Sequence, residues 1–410
     1  MLGAVAIGCS DRLEGGAACP LLCPEQSIEV LDTIIEPVVL DTVISGYPAR
    51  GSEPFVLVAH DGTTLDARTI LRYDTLPQRF RRGGVDSAIY AISDAQLELF
   101  VDTTGTRLSG PVTLVAYDVD TTAADDDTDA LLALFRPDRE LGAVDLLPGT
   151  LPDTLRLPLA NDRVLAKLTG EAPHRLRVGL RLRGSAAGHL RLFSENAGGA
   201  IKLGYDASPD TAVAAFVVSP QSFLPAQFPS IAHELSDFTI VAAGAPFPGT
   251  SVLQVGGLPS RRVFLRFDPP RWLTDSATVI RATLLLTQLP SRVPAAGAND
   301  SLIMFPQIVR ANRGVADVQR LSDILGAPDT DVSAVKFVPA DSGVVEIDIV
   351  NVVRNWRLLR ELDVEPSIVL RSSLEGVSPY ALLFFSRDAD PALRPRLRIS
   401  YVNRIGFGRP

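Results

Sequence analysis

The feature that most constrains this chain is that it repeats itself. Residues 69–74 read Thr-Ile-Leu-Arg-Tyr-Asp and residues 263–268 read Val-Phe-Leu-Arg-Phe-Asp, followed closely by Pro77 in the first case and by Pro269 and Pro270 in the second. Later segments keep pace: 86–100 with 275–286, 112–117 with 302–309, 189–194 with 381–386, and 200–205 with 396–401. A period of about 190 residues is far longer than the 20–50 of a solenoid, so the chain is read as a tandem duplication of one domain-sized unit.

The repeated blocks are short, rich in Val, Ile, Leu, Phe and Thr, and several alternate, as in Leu176-Arg-Val-Gly-Leu-Arg-Leu182 and Val344-Val-Glu-Ile-Asp-Ile349. A period of two places alternate side chains on one face, the pattern of a half-buried antiparallel strand. Many such strands punctuated by Gly, Pro, Asn and Asp predict an all-β chain: two tandem antiparallel β-sandwiches of jelly-roll type, with short helices in the crossover loops. Residues 348–359 carry Ile349, Val352, Val353, Trp356 and Leu359 at helical spacing, with Asp348 placed to cap the N-terminus. Residues 161–168 read as the same helix shortened, and 129–135 and 315–325 as further helical turns. The expected organisation is a signal-like stretch at 1–9, a tether at 10–37, sandwich one at 38–208, a linker at 209–236, sandwich two at 237–402 and a tail at 403–410.

With these pieces assembled, each half resembles a DNRLRE-type β-sandwich. The matching segments are Leu-Arg-Phe-Asp at 265–268, Ser-Ala followed by Leu-Leu-Leu across 276–286, and Val-Glu-Ile-Asp-Ile through Val-Val-Arg-Asn-Trp at 345–356. Phe-Phe-Ser ending at Ser386 and Pro-Arg-Leu-Arg-Ile-Ser-Tyr at 395–401 complete the set. The resemblance covers 237–402 well and 38–208 weakly. The first copy lacks the tryptophan, the proline before the final strand and the full helix. What it implies is a jelly roll akin to carbohydrate-binding modules, in a secreted or surface-attached bacterial protein.

Composition narrows the function. The formal net charge is -9 and the only lysines are Lys167, Lys202 and Lys336, so no broad cationic face offers itself to phosphates and nucleic acid is not an expected partner. His60, His174, His189 and His233 form no metal or catalytic spacing, Ser87 and Ser276 lack a nucleophile elbow, and no residue is assigned a catalytic role. The Arg-Tyr/Phe-Asp repeat, Arg72 with Asp74 and Arg266 with Asp268, reads as a cross-strand ion pair. No cofactor is expected. Calcium alone suits the acidic loop of Asp118, Asp120, Asp125, Asp126, Asp127 and Asp129, which offers oxygen ligands only, with Asp118 and Asp120 the weak candidates. Against that, Asp129 also suits a helix cap, and the second copy has no acidic counterpart.

Ligand binding falls to loop aromatics. Trp272, after Asp-Pro-Pro-Arg, is the candidate stacking platform for a sugar face, and Phe80 holds the comparable place in the first copy; both also suit the plug of a sandwich end. Two Trp and seven Tyr among seventeen Phe is a thin supply of polar-edged aromatics.

The N-terminus supplies the compartment. Met1–Gly8 is apolar or small and ends at Cys9, resembling the close of a bacterial lipoprotein signal in which Cys9 carries the lipid. The stretch lacks a basic flank, which points to a start codon upstream. Cys19 and Cys23, with three residues between them and no second pair or nearby His, fit a local disulfide of an oxidising compartment. The expectation is a non-enzymatic lipoprotein of the cell envelope, outer-membrane, periplasmic or surface-facing, touching the membrane through its lipid alone. Its first expected partner is a polysaccharide, and another envelope protein is the alternative under a structural or assembly role. An unrecognised hydrolase is the third reading.

Overall fold

The computed structural model describes residues 30–47, 51, 53–122, 124, 127–199, 201–207, 214–222, 235–244, 246–247, 249–291, 297, 300–310 and 334–403. Cys9, Cys19, Cys23, Asp125, Asp126, His233, the turns expected at 315–325 and the tail from 404 lie outside them.

The chain forms two antiparallel β-sandwiches. In the first, a large sheet runs Glu140–Leu146, Val112–Asp118, Leu176–Arg183, Asp66–Tyr73, Phe55–His60, Gly188–Phe193 and Arg107–Leu108. It faces a four-stranded sheet of Thr154–Pro158, Ile92–Phe100, Ile201–Ala207 and Phe216–Val218. Alternation decides which side chains enter. Ile201, Leu203, Tyr205 and Ala207 are buried while the residues between them are half-exposed, and they meet Leu114, Ala116, Val178 and Leu180 of the facing sheet. Asp66–Tyr73 is instead buried on both faces, because Leu131 and Phe135 of the crossover cover its outer side together with Phe238 and Ile240. That crossover contains a helix, Thr128–Leu132, shorter than the 129–135 expected; Asp127 Oδ1 caps it by accepting the N–H of Ala130 at 3.0 Å.

The second sandwich repeats the plan with one difference. The 13-residue strand Ala277–Leu289 pairs along most of its length with Arg396–Asn403 and Gly343–Asp348, then crosses at Gln288 and Leu289 to Phe384 and Leu383 of the opposite layer. One strand thus belongs to both layers. The other layer is built from Ala381–Phe385, Val252–Gly256, Ser260–Phe267, Ser367–Ser372, Leu302–Ile308 and Val335–Phe337. The turn after Val252–Gly256 requires glycine at Gly257, where φ is +83° and a Cβ would meet Gln254 Nε2 at 2.5 Å. The helix Val350–Glu361 lays Val352, Val353 and Trp356 into the core; its N-cap is Ile349, which makes no side-chain cap, and Asp348, expected at that position, stands one residue earlier, where its Oδ1 accepts the N–H of Val350 at 3.0 Å. In the first sandwich the matching helix is Asn161–Thr169, tied to the sheet by Asn161 Oδ1, which accepts the N–H of Ala95 at 3.0 Å.

The strand pairing crosses the expected boundaries. Leu31–Ile35, inside the expected tether, pairs with Arg396–Asn403, and Pro37–Tyr47 pairs with Ser260–Phe267. Reciprocally, Phe216–Val218, inside the expected linker, pairs with Ile201–Ala207, and Asp237–Ala243 pairs with Asp66–Tyr73. The acceptor strands correspond between the repeats, so each repeat opens with two strands that complete the other. Residue pattern tells a strand from a loop but does not name the edge it joins, which is why the boundaries expected at 38 and 237 cut through this exchange.

The two units also meet directly. Leu258 packs on Leu57, Ala59 and Ala67 of the first sandwich. Beside that contact, Asp300 accepts from Arg107 Nη2 and from the Tyr380 hydroxyl, each at 2.6 Å. His189, 2% exposed, stands edge-on to the Tyr380 ring with centroids 5.5 Å apart.

Candidate functional site

The helical end of the second sandwich carries the exposed aromatic. Pro269 and Pro270 stop the strand Ser260–Phe267 from continuing, since proline offers no ladder N–H, and the chain turns into the short helix Arg271–Asp275. Leu273, 1% exposed, anchors that helix in the core and leaves Trp272 outward at 43% exposure, its ring 4.9 Å from the half-buried Tyr401. Arg360 fastens the arrangement, donating to Thr274 Oγ1 at 2.9 Å and to the carbonyl of Pro269 at 3.1 Å. A groove of about 430 Å³ lies between this helix and Val350–Glu361, lined by Leu273, Thr278, Arg354, Arg357, Leu358 and Glu361 among others. Arg354 Nε is held by the carbonyl of Val279 at 3.0 Å, and Leu358 is 60% exposed. The short helix therefore carries an indole against a phenol and also borders a groove lined by guanidinium groups and a carboxylate, side chains whose chemistry suits a polyhydroxylated or anionic ligand.

The first sandwich has no such platform at Phe80. That ring is 8% exposed and belongs to the core, where the hairpin Arg79–Arg82 with Val85–Ala88 carries it inward. The expectation that Phe80 is a ligand residue fails on burial: an aromatic sealed by Leu76, Ile89 and their neighbours has no face to give. The exposed ring nearby is Tyr90, at 67%, which sequence reasoning missed because it stands in an unbroken apolar run.

Asp118 and Asp120 are already neutralised. Lys167 Nζ lies 3.0 Å from Asp118 Oδ2 and 3.4 Å from Asp120 Oδ2, Arg175 Nε donates to Asp120 Oδ1 at 2.8 Å, and Arg139 reaches Asp118 at 3.5 Å. Three side-chain cations stand where the calcium reading needs one metal ion, and this corrects that expectation. Among the described residues no group of three or more His, Cys, Asp or Glu side chains is placed to hold a metal. The Arg-aromatic-Asp repeat divides. Arg72 Nη2 pairs with Asp74 along its own strand at 2.6 Å, with Arg177 at 4.0 Å from the neighbouring strand, whereas Arg266 pairs with Glu365.

A second acidic cluster had no sequence signal. Asp237 Oδ2 accepts the N–H of Glu195 at 2.7 Å, while Asp237 Oδ1, Glu195 Oε2 and the Tyr73 hydroxyl are buried without a hydrogen-bond partner. Burial pushes the Asp237 carboxyl up to about 6 against the opposing N–H of Glu195 and the Ser236 hydroxyl, and burial together with the Asp237 charge raises Glu195. Glu195 borders a cleft of about 500 Å³ formed with Thr75, Pro77 and Val217–Gln221, yet Asp237 is only 1% exposed, which keeps a substrate from reaching both acids together.

At the interdomain contact the balance runs the other way. Burial, then the charges of Arg107 and Arg191, drives His189 down to about 4. Burial opposes the charge on Asp300, but hydrogen bonds from Arg107 and Tyr380 outweigh it and hold that carboxyl below its ordinary value. These two perturbed groups make a pH prediction. Asp237, at about 6 folded against 3.8 unfolded, binds more protons in the native state, so its contribution is lost as pH rises from about 4 through 6. His189, at about 4 folded against 6.5 unfolded, binds fewer, so its contribution is lost as pH falls through the same window. Each spans about 3 kcal/mol, and they oppose. Asp237→Asn is expected to make stability climb with pH between 4 and 6.5 relative to the native chain, and His189→Gln to make it fall. Urea midpoints at four pH values decide; parallel profiles for all three proteins refute it.

No protein-family model and no curated protein matches the chain. Among solved structures, the N-terminal CBM22-1-CBM22-2 tandem domain of Paenibacillus barcinonensis Xyn10C aligns over 90% of this chain and 98% of its own length, at 9% identity and a TM-score of 0.16, too low to bear on fold or ligand.

Proposed function

We propose that this chain is a non-catalytic binding protein of the bacterial cell envelope, anchored through Cys9, whose second sandwich presents Trp272 to carbohydrate. The observation that carries the reading is the placement of Trp272: a large aromatic held outward by a buried neighbour, backed by Tyr401 and standing on the same short helix that borders a groove with guanidinium and carboxylate groups. The DNRLRE-like segments quoted above support the same class. The polysaccharide is held by stacking, with Arg357 and Glu361 supplying polar contacts at the groove.

Trp272→Ala is expected to weaken polysaccharide binding at least tenfold, about 1.4 kcal/mol, while the melting temperature falls by only a few degrees, because the ring is 43% exposed and lies outside the core, against Tyr401. Affinity electrophoresis across a panel of glycans reads this directly. Binding that survives the substitution, or a native chain that binds no glycan in the panel, refutes the carbohydrate reading. For the anchor, Cys9→Ala expressed with the full native leader is expected to move the protein from the membrane to the soluble fraction; retention in the membrane pellet rejects lipidation at Cys9. Among the described residues no helix is long and apolar enough to cross a membrane.

The reciprocal strand pairing favours a second reading, a structural or assembly component of the envelope. A native chain that binds no glycan but recovers a defined envelope protein by in-cell cross-linking would favour it.

A further inference from the structure

Three buried oxygens at one end of the first sandwich lack a hydrogen-bond partner among the described residues: Asp237 Oδ1, Glu195 Oε2 and the Tyr73 hydroxyl. They come from three segments. Tyr73 ends the strand Asp66–Tyr73 and is fully buried, Asp237 opens the strand Asp237–Ala243 that pairs with it, and the half-buried Glu195 follows Gly188–Phe193 and Ser194. The N–H of Glu195 on Asp237 Oδ2 joins the two acids. The phenol belongs to the same group, since burial and then the charges of Asp237 and Glu195 hold it well above its ordinary value. Among the described residues no cationic side chain stands within 4.0 Å of either carboxylate. Lys202 opposes the rise of Glu195, but its Nζ lies over the Phe100 ring, 5.9 Å from the centroid. Two acids left to face each other away from water are costly.

The other repeat differs at this place in a telling way. In the register of the duplication Tyr73 answers to Phe267, and Glu195, after Ser194, answers to Arg387, after Ser386. Asp237, paired with Leu71, answers to Asp41, paired with Leu265. The second copy thus has an arginine where the first has a glutamate, opposite the same aspartate position. One repeat encodes a cation there and the other does not.

We propose that the first repeat takes its cation from solution: a calcium ion held by Asp237 Oδ1, Glu195 Oε2 and the Tyr73 hydroxyl, which clasps the strand Asp237–Ala243 to the first sandwich. All three donors are oxygens, which suits a hard cation rather than zinc or copper, and two carboxylates match a divalent charge. Calcium accepts a neutral hydroxyl and an irregular shell, where magnesium demands a near-ideal octahedron. The cleft of about 500 Å³ that Glu195 borders gives the ion access and its remaining ligands, which are water. A bound ion keeps both carboxyls charged, so the pH profiles above are those of the EDTA-treated chain. The proposal is independent of the carbohydrate reading.

Full-length protein stripped with EDTA is titrated calorimetrically with calcium chloride and melted in millimolar calcium chloride or in sodium chloride of equal ionic strength. Calcium is expected to bind one ion per chain and to raise the melting temperature by several degrees, since it binds only the folded site. Asp237→Asn and Glu195→Gln are each expected to bind at least tenfold more weakly. Terbium in place of calcium is expected to luminesce through the adjacent phenol, and Tyr73→Phe to dim it. Glu195→Arg, which copies the second repeat, keeps the test clear of simple misfolding: it is expected to melt in EDTA at or above the calcium-loaded native chain and to ignore calcium. A native chain whose heat signal and melting temperature do not respond to calcium overturns the proposal. A calcium response that survives Asp237→Asn, Glu195→Gln or Glu195→Arg at native affinity overturns it too, because the ion then sits elsewhere.

Discussion

Trp356→Ala is expected to cost the second sandwich about 3–5 kcal/mol. Trp356 is fully buried on Val350–Glu361, packs its ring 5.8 Å from that of Phe267, and sits in one cluster with Leu284, Leu382, Phe384 and Leu397. Truncation removes the largest sealed side chain among the described residues and leaves a cavity that a closed sandwich cannot collapse around. At roughly 2–4 °C per kcal/mol for a unit of this size, the second sandwich melts about 10 °C earlier. Trp356→Phe separates packing from polarity. The indole N–H is buried without a partner, so phenylalanine loses volume but also removes an unsatisfied donor, and its cost is expected to be less than half that of alanine. Calorimetry of both variants decides; equal costs would mean that the N–H finds a partner in the folded protein.

Glu375→Gln is expected to be as damaging for an electrostatic reason. Arg262 donates from Nε to Glu375 Oε1 and from Nη2 to Oε2, both at 2.7 Å, and the two side chains are 3% and 5% exposed. Arg371 Nη1 stands 3.7 Å from the same carboxylate. Glutamine keeps the shape and deletes the charge that balances the sealed Arg262 guanidinium, with the part-exposed Arg371 beside it, and removing one partner of such a buried pair costs about 3–5 kcal/mol. The companion Arg262→Met/Glu375→Leu is expected to recover most of that loss, since apolar replacement of both partners ends the desolvation cost as well as the attraction. Chemical unfolding of the single and double variants closes the cycle. A double variant no better than Glu375→Gln would show that Arg371, not Arg262, is the group the carboxylate serves.

Several elements were legible in the residues because their causes are local. The alternation of Val344–Ile349 reports one buried face, with Ile347 and Ile349 inside and Glu346 and Asp348 outside, and the helical stripe of Val352, Val353 and Trp356 reports another, whereas the alternating Leu176–Leu182 is covered on both faces. The second copy's helix, with Asp348 at its start, needed only residues within one turn of each other. The candidate site was half legible. Trp272 and Phe80 look alike in sequence, each in a polar stretch after a strand and a proline. Which ring faces water depends on whether a short helix or a β-hairpin follows, and so on whether Leu273 or the aromatic itself is taken as the anchor. Asp118 and Asp120 read as an acidic loop because Arg139, Lys167 and Arg175, which neutralise them, lie on other elements.

By itself the sequence determined the duplication, the all-β class and the identity of the core strands, since each follows from residue type and short-range period. Only the tertiary structure decided that the opening strands of each repeat complete the other, that Asp237 and Glu195 meet, and that His189 is sealed between Arg107 and Tyr380. The physical reason is the same in each case. A strand edge, a buried carboxylate and a buried imidazole each take their energy from a partner, and partners distant along the chain are chosen by how the sheets close.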